Sequence, residues 1–263
     1  MGMECEAARK AAAAAQQDCS TQAATHITKP AHGGPEKHDQ YMADPLAHFM
    51  SVPWTARLLT DPRTFGIVVS DRSHLPSGSK QFVRCVMSSE KTVRACVTFF
   101  RTVPVQPPTS ERPAVLVQDD NGYAQQPLSR SKALLGGGGP DFGETADKPF
   151  LLVNALLDLG EDLCGYKGTL HGGALAVMLD ETMCSAADNQ DQFAFTVTAT
   201  MTTTFLKPIK LPGIVLVQSR VVKREGRKVW VRGAIEDANG NLMAEAEAML
   251  VDKTALTPSD PKL

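Results

Sequence analysis

The sequence predicts an α+β fold: an antiparallel sheet wrapped around one long central helix, preceded by an N-terminal extension. Three observations carry this reading. The segment from Gly172 to about Ala187 is apolar nearly all round and opens on a glycine turn, so it reads as a helix that should be buried. From Phe150 onward the order is strand, helix, then four strands joined mainly by short turns. The first of those four strands, within 193–205, alternates. Phe193, Phe195, Val197, Ala199, Met201 and Phe205 fall on one face, and Thr196, Thr198, Thr200, Thr202 and Thr204 on the other.

Taken in order, residues 1–40 are rich in Ala, Gln, Thr, Gly and His with little apolar periodicity, and read as a disordered tail. Between Tyr41 and Thr60 the apolar residues suggest one short helix with an entry turn, interrupted by Pro53. Phe82–Met87 and Thr92–Phe100 read as a hairpin around Ser88-Ser89-Glu90. Residues 104–149 hold most of the prolines and the run Gly136–Gly139, which makes 41–149 a helical or irregular extension and linker. Phe150–Leu159 reads as a strand. Pro208 and Pro212-Gly213 end the alternating strand, and Ile214–Val222 and Val229–Ile235 turn around Glu225-Gly226-Arg227. Asn239-Gly240 signals a hairpin into Leu242–Val251. The regular unit therefore covers 150–252, followed by a tail at 253–263.

A net charge of -2 gives no global reason to expect nucleic acid or an anionic membrane as partner. No apolar run reaches the roughly 18 residues of a membrane span. The six cysteines are scattered without a CxxC pair, so reduced thiols in a cytoplasmic compartment are expected, with a mitochondrial location as the alternative. Glu4 and Glu6 count against a mitochondrial presequence. Cys184, inside the apolar helix, reads as a small core residue. No paired Cys/His spacing, HExxH, GxSxG or phosphate loop occurs, so neither metal nor cofactor is expected. His32-Gly33-Gly34 is followed by no apolar helix and is given no role.

The chemistry concentrates in Gly168-Thr169-Leu170-His171-Gly172-Gly173 and in Asp180, the carboxylate in the middle of the apolar helix. A helix N-terminus offers free N–H groups and the positive end of the macrodipole. Glycines there let a ligand oxygen approach closely, as an oxyanion site requires. A buried carboxylate is costly unless something specific holds it. His171 and Asp180 lie nine residues apart, a rise of about 13.5 Å and half a turn out of phase. One chain therefore cannot bring both to one reacting group, and a symmetric dimer with two shared sites is expected. Glu181, one step round the helix, reads as the more exposed of the two acids and as structural. Arg220, Lys223, Arg224, Arg227, Lys228 and Arg232, with Lys207 and Lys210 just before them, are either a solvated strand end or a cradle for the phosphates of a nucleotide-like ligand.

These residues resemble a known family. The HGG run with Asp180 at its offset resembles the signature of hotdog-fold thioesterases of the HGG, phenylacetyl-CoA thioesterase-like type. Thr198–Ile209 and Glu225-Gly226-Arg227-Lys228 resemble the long-chain acyl-CoA thioesterases of thioesterase superfamily members four and five. The resemblance covers roughly residues 150–252. It implies hydrolysis of a fatty or aryl acyl-CoA to free acid and CoA by a homodimer or tetramer. Under it the Gly172 N–H, helped by Gly173, polarises the thioester carbonyl. The partner's Asp180 is general base or nucleophile, His171 orients the thioester, and Thr198 positions the water. Thr204, Lys207, Arg227 and Lys228 contact CoA. Many shorter relatives carry Asn or Gln where this chain has Cys164-Gly165-Tyr166-Lys167, which leaves His171 as the side chain nearest the carbonyl. A non-catalytic acyl-CoA-binding protein, or an enzyme releasing an acyl or polyketide chain from a carrier protein, are the competing readings.

Overall fold

A computed structural model describes residues 39–73, 82–103, 134, 138–190 and 195–253. The expected N-terminal tail up to residue 38, most of the 104–149 linker, Phe193 and residues 254–263 lie outside the described residues, as do Cys5, Cys19 and His32-Gly33-Gly34.

Helices α1 (Pro45–Met50) and α2 (Pro53–Leu59) come first, followed by strands β1 (Phe65–Val69), β2 (Val93–Thr102) and β3 (Leu151–Leu159). A small hairpin of β4 (Cys164–Tyr166) and β5 (Thr169–Leu170) leads into the long helix α3 (Gly172–Gln190). Four strands follow: β6 (Thr196–Phe205), β7 (Gly213–Glu225), β8 (Lys228–Glu236) and β9 (Leu242–Asp252). The main sheet has seven strands in the order β1-β2-β3-β7-β8-β9-β6, every pairing antiparallel. This is the hotdog arrangement, with the sheet curled around α3.

Two expectations for the N-terminal part are corrected. Pro53 does not interrupt a single helix. It occupies the first position of a second one, where its missing N–H costs nothing. The first helix is opened in the same way by Pro45, with the Asp44 carboxylate accepting from Ala47 N at 2.9 Å. The second correction concerns the hairpin. Phe82–Val86 forms one helical turn, and the strand that pairs with β2 is β1, with Phe65 opposite Phe100. A five-residue run, apolar but for Arg84, cannot declare its partner, and the edge of β2 is already taken by β1. The extension thus adds two strands to the sheet, since β2 pairs along the whole of β3.

β3 is buried on both faces, which explains its near-continuous apolar sequence. On the outer face Phe49 and Leu59 of the first two helices pack with Ala95, Val97 and Phe99 of β2, Leu156 of β3 and Leu216 of β7. Buried Asp158 at the end of β3 pairs there with Arg94. On the inner face Leu175, Met178, Leu179, Met183 and Ala186 of α3 pack on Val153, Val217, Val231 and Ile235. Each of these Val, Leu, Ile, Phe and Met side chains taken out of water contributes about 1.5–3 kcal/mol. Among the described residues no helix is long and apolar enough to cross a membrane.

Gly233 in β8 sets how deeply α3 sits. A Cβ there would lie 3.0 Å from Leu179 Cδ2 and 3.2 Å from Met183 Cγ. Gly233→Val should therefore lift the helix and lower stability by about 1–3 kcal/mol in denaturant unfolding. An unchanged midpoint would show that the helix does not rest on this glycine.

Candidate active site

Helix α3 runs antiparallel to the edge strand β6, and three contacts fix the alignment. Asp188 Oδ1 accepts from Thr196 N at 3.0 Å and Thr196 Oγ1 at 2.7 Å. Thr198 Oγ1 donates to Asp180 Oδ1 at 2.6 Å. At the other end the Phe205 ring lies against Gly172, where a Cβ would meet its Cζ at 3.3 Å.

The expected alternation of β6 fails in one place. Thr198 pairs with Leu250 and Thr200 with Met249, so a bulge accommodates Ala199 as an extra residue. A bulge shifts which side chains face inward. Before it Thr196 and Thr198 point at α3. After it Met201 packs on the core and Phe205 covers Gly172. The period of two cannot place Thr198 and Met201 on one face, but the bulge does. Asp180 is half-buried, and its second carboxylate oxygen has no partner among the described residues.

The start of α3 is built by backbone and imidazole together. His171 N donates to Leu163 O at 2.8 Å, and its carbonyl accepts from Leu175 N at 3.1 Å, so His171 caps the helix. Its Nδ1 accepts from Gly173 N at 2.9 Å, which leaves the ring proton on Nε2. The ring lies over Gly165, where a Cβ would be 2.6 Å from its Cδ2. Gly173 N–H is thereby taken up by the cap, while Gly172 N–H has no partner among the described residues. The β4–β5 hairpin that carries this turn, with Gly168 at φ +67, is tied to the segment after β6. Leu170 N donates to Ile209 O at 2.9 Å, and Leu211 N donates to Gly168 O at 3.1 Å.

Sequence reasoning missed two neighbours of the candidate site, Gly165 under the imidazole and Phe205 over Gly172, and the contact that Cys184 makes while packing against the core. Cys184 stands four residues after Asp180, with its Sγ 3.5 Å from Thr198 Oγ1. The spacing that puts both on one helix face was legible. Burial pushes the Cys184 thiol up to about 11; the Thr198 contact opposes the rise, and the carboxylates of Asp180, Glu181 and Asp188 add to it. Glu181 leaves that flank and lines a cavity of about 200 Å³ with Ser70, Thr98, Val153, Met178 and Ser185.

Most of the basic cluster is engaged within the fold. Arg220 is buried against Glu144, Lys223 meets Glu225 at 2.6 Å, Arg224 meets Asp252 at 2.9 Å, and Arg232 meets Glu247 at 2.8 Å. Arg227 and Lys228 stay exposed on the β7–β8 turn, with Arg227 Nε donating to Asp252 O at 3.1 Å. Thr204 and Lys207 are exposed at the opposite end of β6. No group of three or more His, Cys, Asp or Glu able to hold a metal occurs among the described residues.

Residues 167–244 match the family model described as thioesterase superfamily. An uncharacterized protein of Schizosaccharomyces pombe is 32% identical over 99 residues, 36% of this chain and 57% of that protein. The acyl-coenzyme A thioesterase THEM4 of Mus musculus is 34% identical over 108 residues, 41% of this chain and 44% of that protein. The chain spans about half the length of these relatives. Thioesterase superfamily member 2 of zebra fish overlays with a TM-score of 0.36 at 24% identity, covering 37% of this chain and 72% of that one. The C-terminal unit resembles a hotdog-fold thioesterase of the THEM4 type.

The raised Cys184 value has a direct readout. The thiolate is the reactive form, so near neutral pH iodoacetamide should label exposed Cys85 and Cys164 well before Cys184, with each site followed by mass spectrometry. Labelling of Cys184 should keep accelerating as pH approaches about 11. Because the folded value is the higher one, its stabilising contribution is complete below the ordinary 9.0 and is lost as pH rises through about 11.

Proposed function

We propose that the chain is an acyl-CoA thioesterase that works as a homodimer, hydrolysing the thioester of a fatty or aryl acyl-CoA to the free acid and CoA. The observation that carries the reading is the Asp180 carboxylate. It follows the apolar run Ala174–Leu179 of α3, held at one oxygen by Thr198 at 2.6 Å and, among the described residues, open at the other.

The dimer follows from how the candidate groups divide. Asp180, Thr198, Arg227 and Lys228 belong to the beginning of β6, because Asp252 pairs with Thr196 and its N–H donates to Arg227 O. His171, Gly172, Thr204, Phe205 and Lys207 belong to its end. The nine residue steps along α3 from His171 to Asp180 separate the two sets by a rise of about 13.5 Å, and the seven steps of β6 from Thr198 to Phe205 by roughly 23 Å of strand. Neither set alone is a site. A two-fold axis crossing the middle of β6 would lay two such strands antiparallel and bring the first set of one chain against the second set of its partner. The free edge of β6 supports this pairing. It is ten residues long and holds no charged residue or proline, and among the described residues no further strand pairs with it.

In the completed site the thioester oxygen accepts from Gly172 N–H at the positive end of α3, with His171 Nε2–H aimed at the thioester. Gly173 N–H contributes through the His171 ring that it fixes. The partner's Asp180 takes a proton from water positioned by Thr198, or attacks the acyl carbon itself. The new C–O bond forms, the C–S bond breaks, and the CoA thiolate leaves with the proton that came from water. Where Asp180 attacks, water then hydrolyses the resulting Asp180 acyl anhydride to the free acid and restores the carboxylate. Thr204 and Lys207 from one chain and Arg227 and Lys228 from the other reach toward the CoA moiety. The reaction is assigned to a reducing compartment, cytoplasm or mitochondrion, where Cys96 and Cys184 stay free thiols.

Thiol release from an acyl-CoA panel tests the activity. Asp180→Asn should lower kcat by about 100-fold or more, the weight of a general base. Undiminished turnover would remove Asp180 from the mechanism. The shared site has its own test. Asp180→Asn and His171→Ala homodimers, each impaired, should on subunit exchange recover about a quarter of wild-type activity, since half the dimers are hybrids and each holds one intact site. No recovery in verified hybrids would place both groups of a site in one chain.

A further inference from the structure

The Thr198 hydroxyl has two neighbours and one proton. A hydroxyl donates once and accepts at two lone pairs, and an ionised carboxylate only accepts. The 2.6 Å contact with Asp180 Oδ1 therefore uses the Thr198 proton. Cys184 Sγ, 3.5 Å from the same hydroxyl oxygen, faces an atom with nothing left to give, so the thiol must be the donor. The direction of both bonds follows from counting protons.

The three groups meet by construction. Asp180 and Cys184 are four apart on α3 and share a face. The bulge at Ala199 belongs to the same stretch of β6 that sets Thr198 opposite both of them. We propose that Cys184 is a positioning residue for the hydrolysis: its S–H occupies one lone pair of Thr198 and so fixes the hydroxyl with its proton on Asp180 Oδ1, leaving Oδ2 to face the reacting water or acyl carbon. Without the thiol the Thr198 hydroxyl is free to swing about its C–O bond, and the carboxylate loses its fixed orientation. A thiolate would compete for the Thr198 proton instead of donating one. Burial keeps the thiol protonated well above neutral pH, so the order of donation does not reverse there. This rests on the thioesterase reading and adds to it a group that touches neither water nor thioester.

Cys184 is only partly buried beside the core that it packs against. A filler of that kind is served as well by alanine as by serine, whereas a donor is served by serine alone. Cys184→Ala should lower kcat about two- to tenfold with KM unchanged, the range of one net hydrogen bond. Cys184→Ser should return kcat to within about twofold of wild type. Equal kcat in the two variants, with matched unfolding midpoints, overturns the proposal. An infrared measurement decides the contact without activity. The wild-type minus Cys184→Ala difference isolates the Cys184 S–H stretch, which should move to higher frequency in Thr198→Val, where its acceptor is gone. A band that stays in place overturns the proposal even in an active enzyme. A protein that releases no thiol from any acyl-CoA overturns the functional reading, while the infrared shift still decides the Cys184 contact.

Discussion

The antiparallel seating of α3 on β6 governs where every candidate group can act. Because the helix N-terminus meets the end of the strand, the glycine turn and the carboxylate are pulled to opposite ends of one layer. Three contacts hold that seating: Asp188 with Thr196, Asp180 with Thr198, and Gly172 with Phe205. Two of them are hydrogen bonds to carboxylates, which are stronger than neutral ones. Gly233 below lets the helix settle far enough into the sheet for those bonds to form. Depth and alignment therefore come from different residues, one set by a missing side chain and the other by charged acceptors.

The bulge in β6 resolves a conflict within a single strand. The helix needs an apolar neighbour at Met201 and Phe205, and Asp180 needs a hydroxyl at Thr198. A regular strand of period two offers its helix only odd or only even positions. Adding Ala199 to the count lets the strand present a hydroxyl first and apolar side chains afterwards. The extension solves a separate problem at the far side of the sheet. By adding β1 and β2 beyond β3, and covering the outer face with two short helices, it buries β3 on both sides and moves that edge away from the helix.

Much of this was legible in the sequence, and what was not has physical causes. The helix, the strand order after it and the turn at Gly226 follow from periodicity and glycine chemistry, and the structure carries them. The half-turn offset between His171 and Asp180 was legible because it needs only the helical rise. The role of Phe82–Val86 was not, since a short apolar run has no periodicity of its own and its pairing depends on which edge remains open. The basic cluster was equally undecided. Whether Arg220 serves a phosphate or a buried Glu144 depends on a loop that returns 76 residues away in sequence. The bulge at Ala199 leaves no mark on a Thr-rich strand, so Thr198 could be placed near Asp180 only through family resemblance. Cys184 packs against the core, as a small residue in an apolar helix should. Its spacing from Asp180 was visible, but its contact with Thr198 was not, since that depends on the bulge.

The unblunted edge of β6 links assembly to chemistry. A ten-residue edge strand with no charged residue, unpaired on its far side among the described residues, invites another strand. Heterologous pairing would continue into a fibre, whereas two-fold pairing closes after two chains. In the proposed dimer the two-fold pairing would also do what no single chain can, because it would bring the start of one β6 against the end of the other. The same backbone bonds that satisfy the edge would then carry Asp180 to the helix N-terminus of the partner. A chain that paired in any other register would satisfy its edge and still leave the carboxylate without a carbonyl to act on. Register along β6 would therefore matter to the proposed site as much as Asp180 itself.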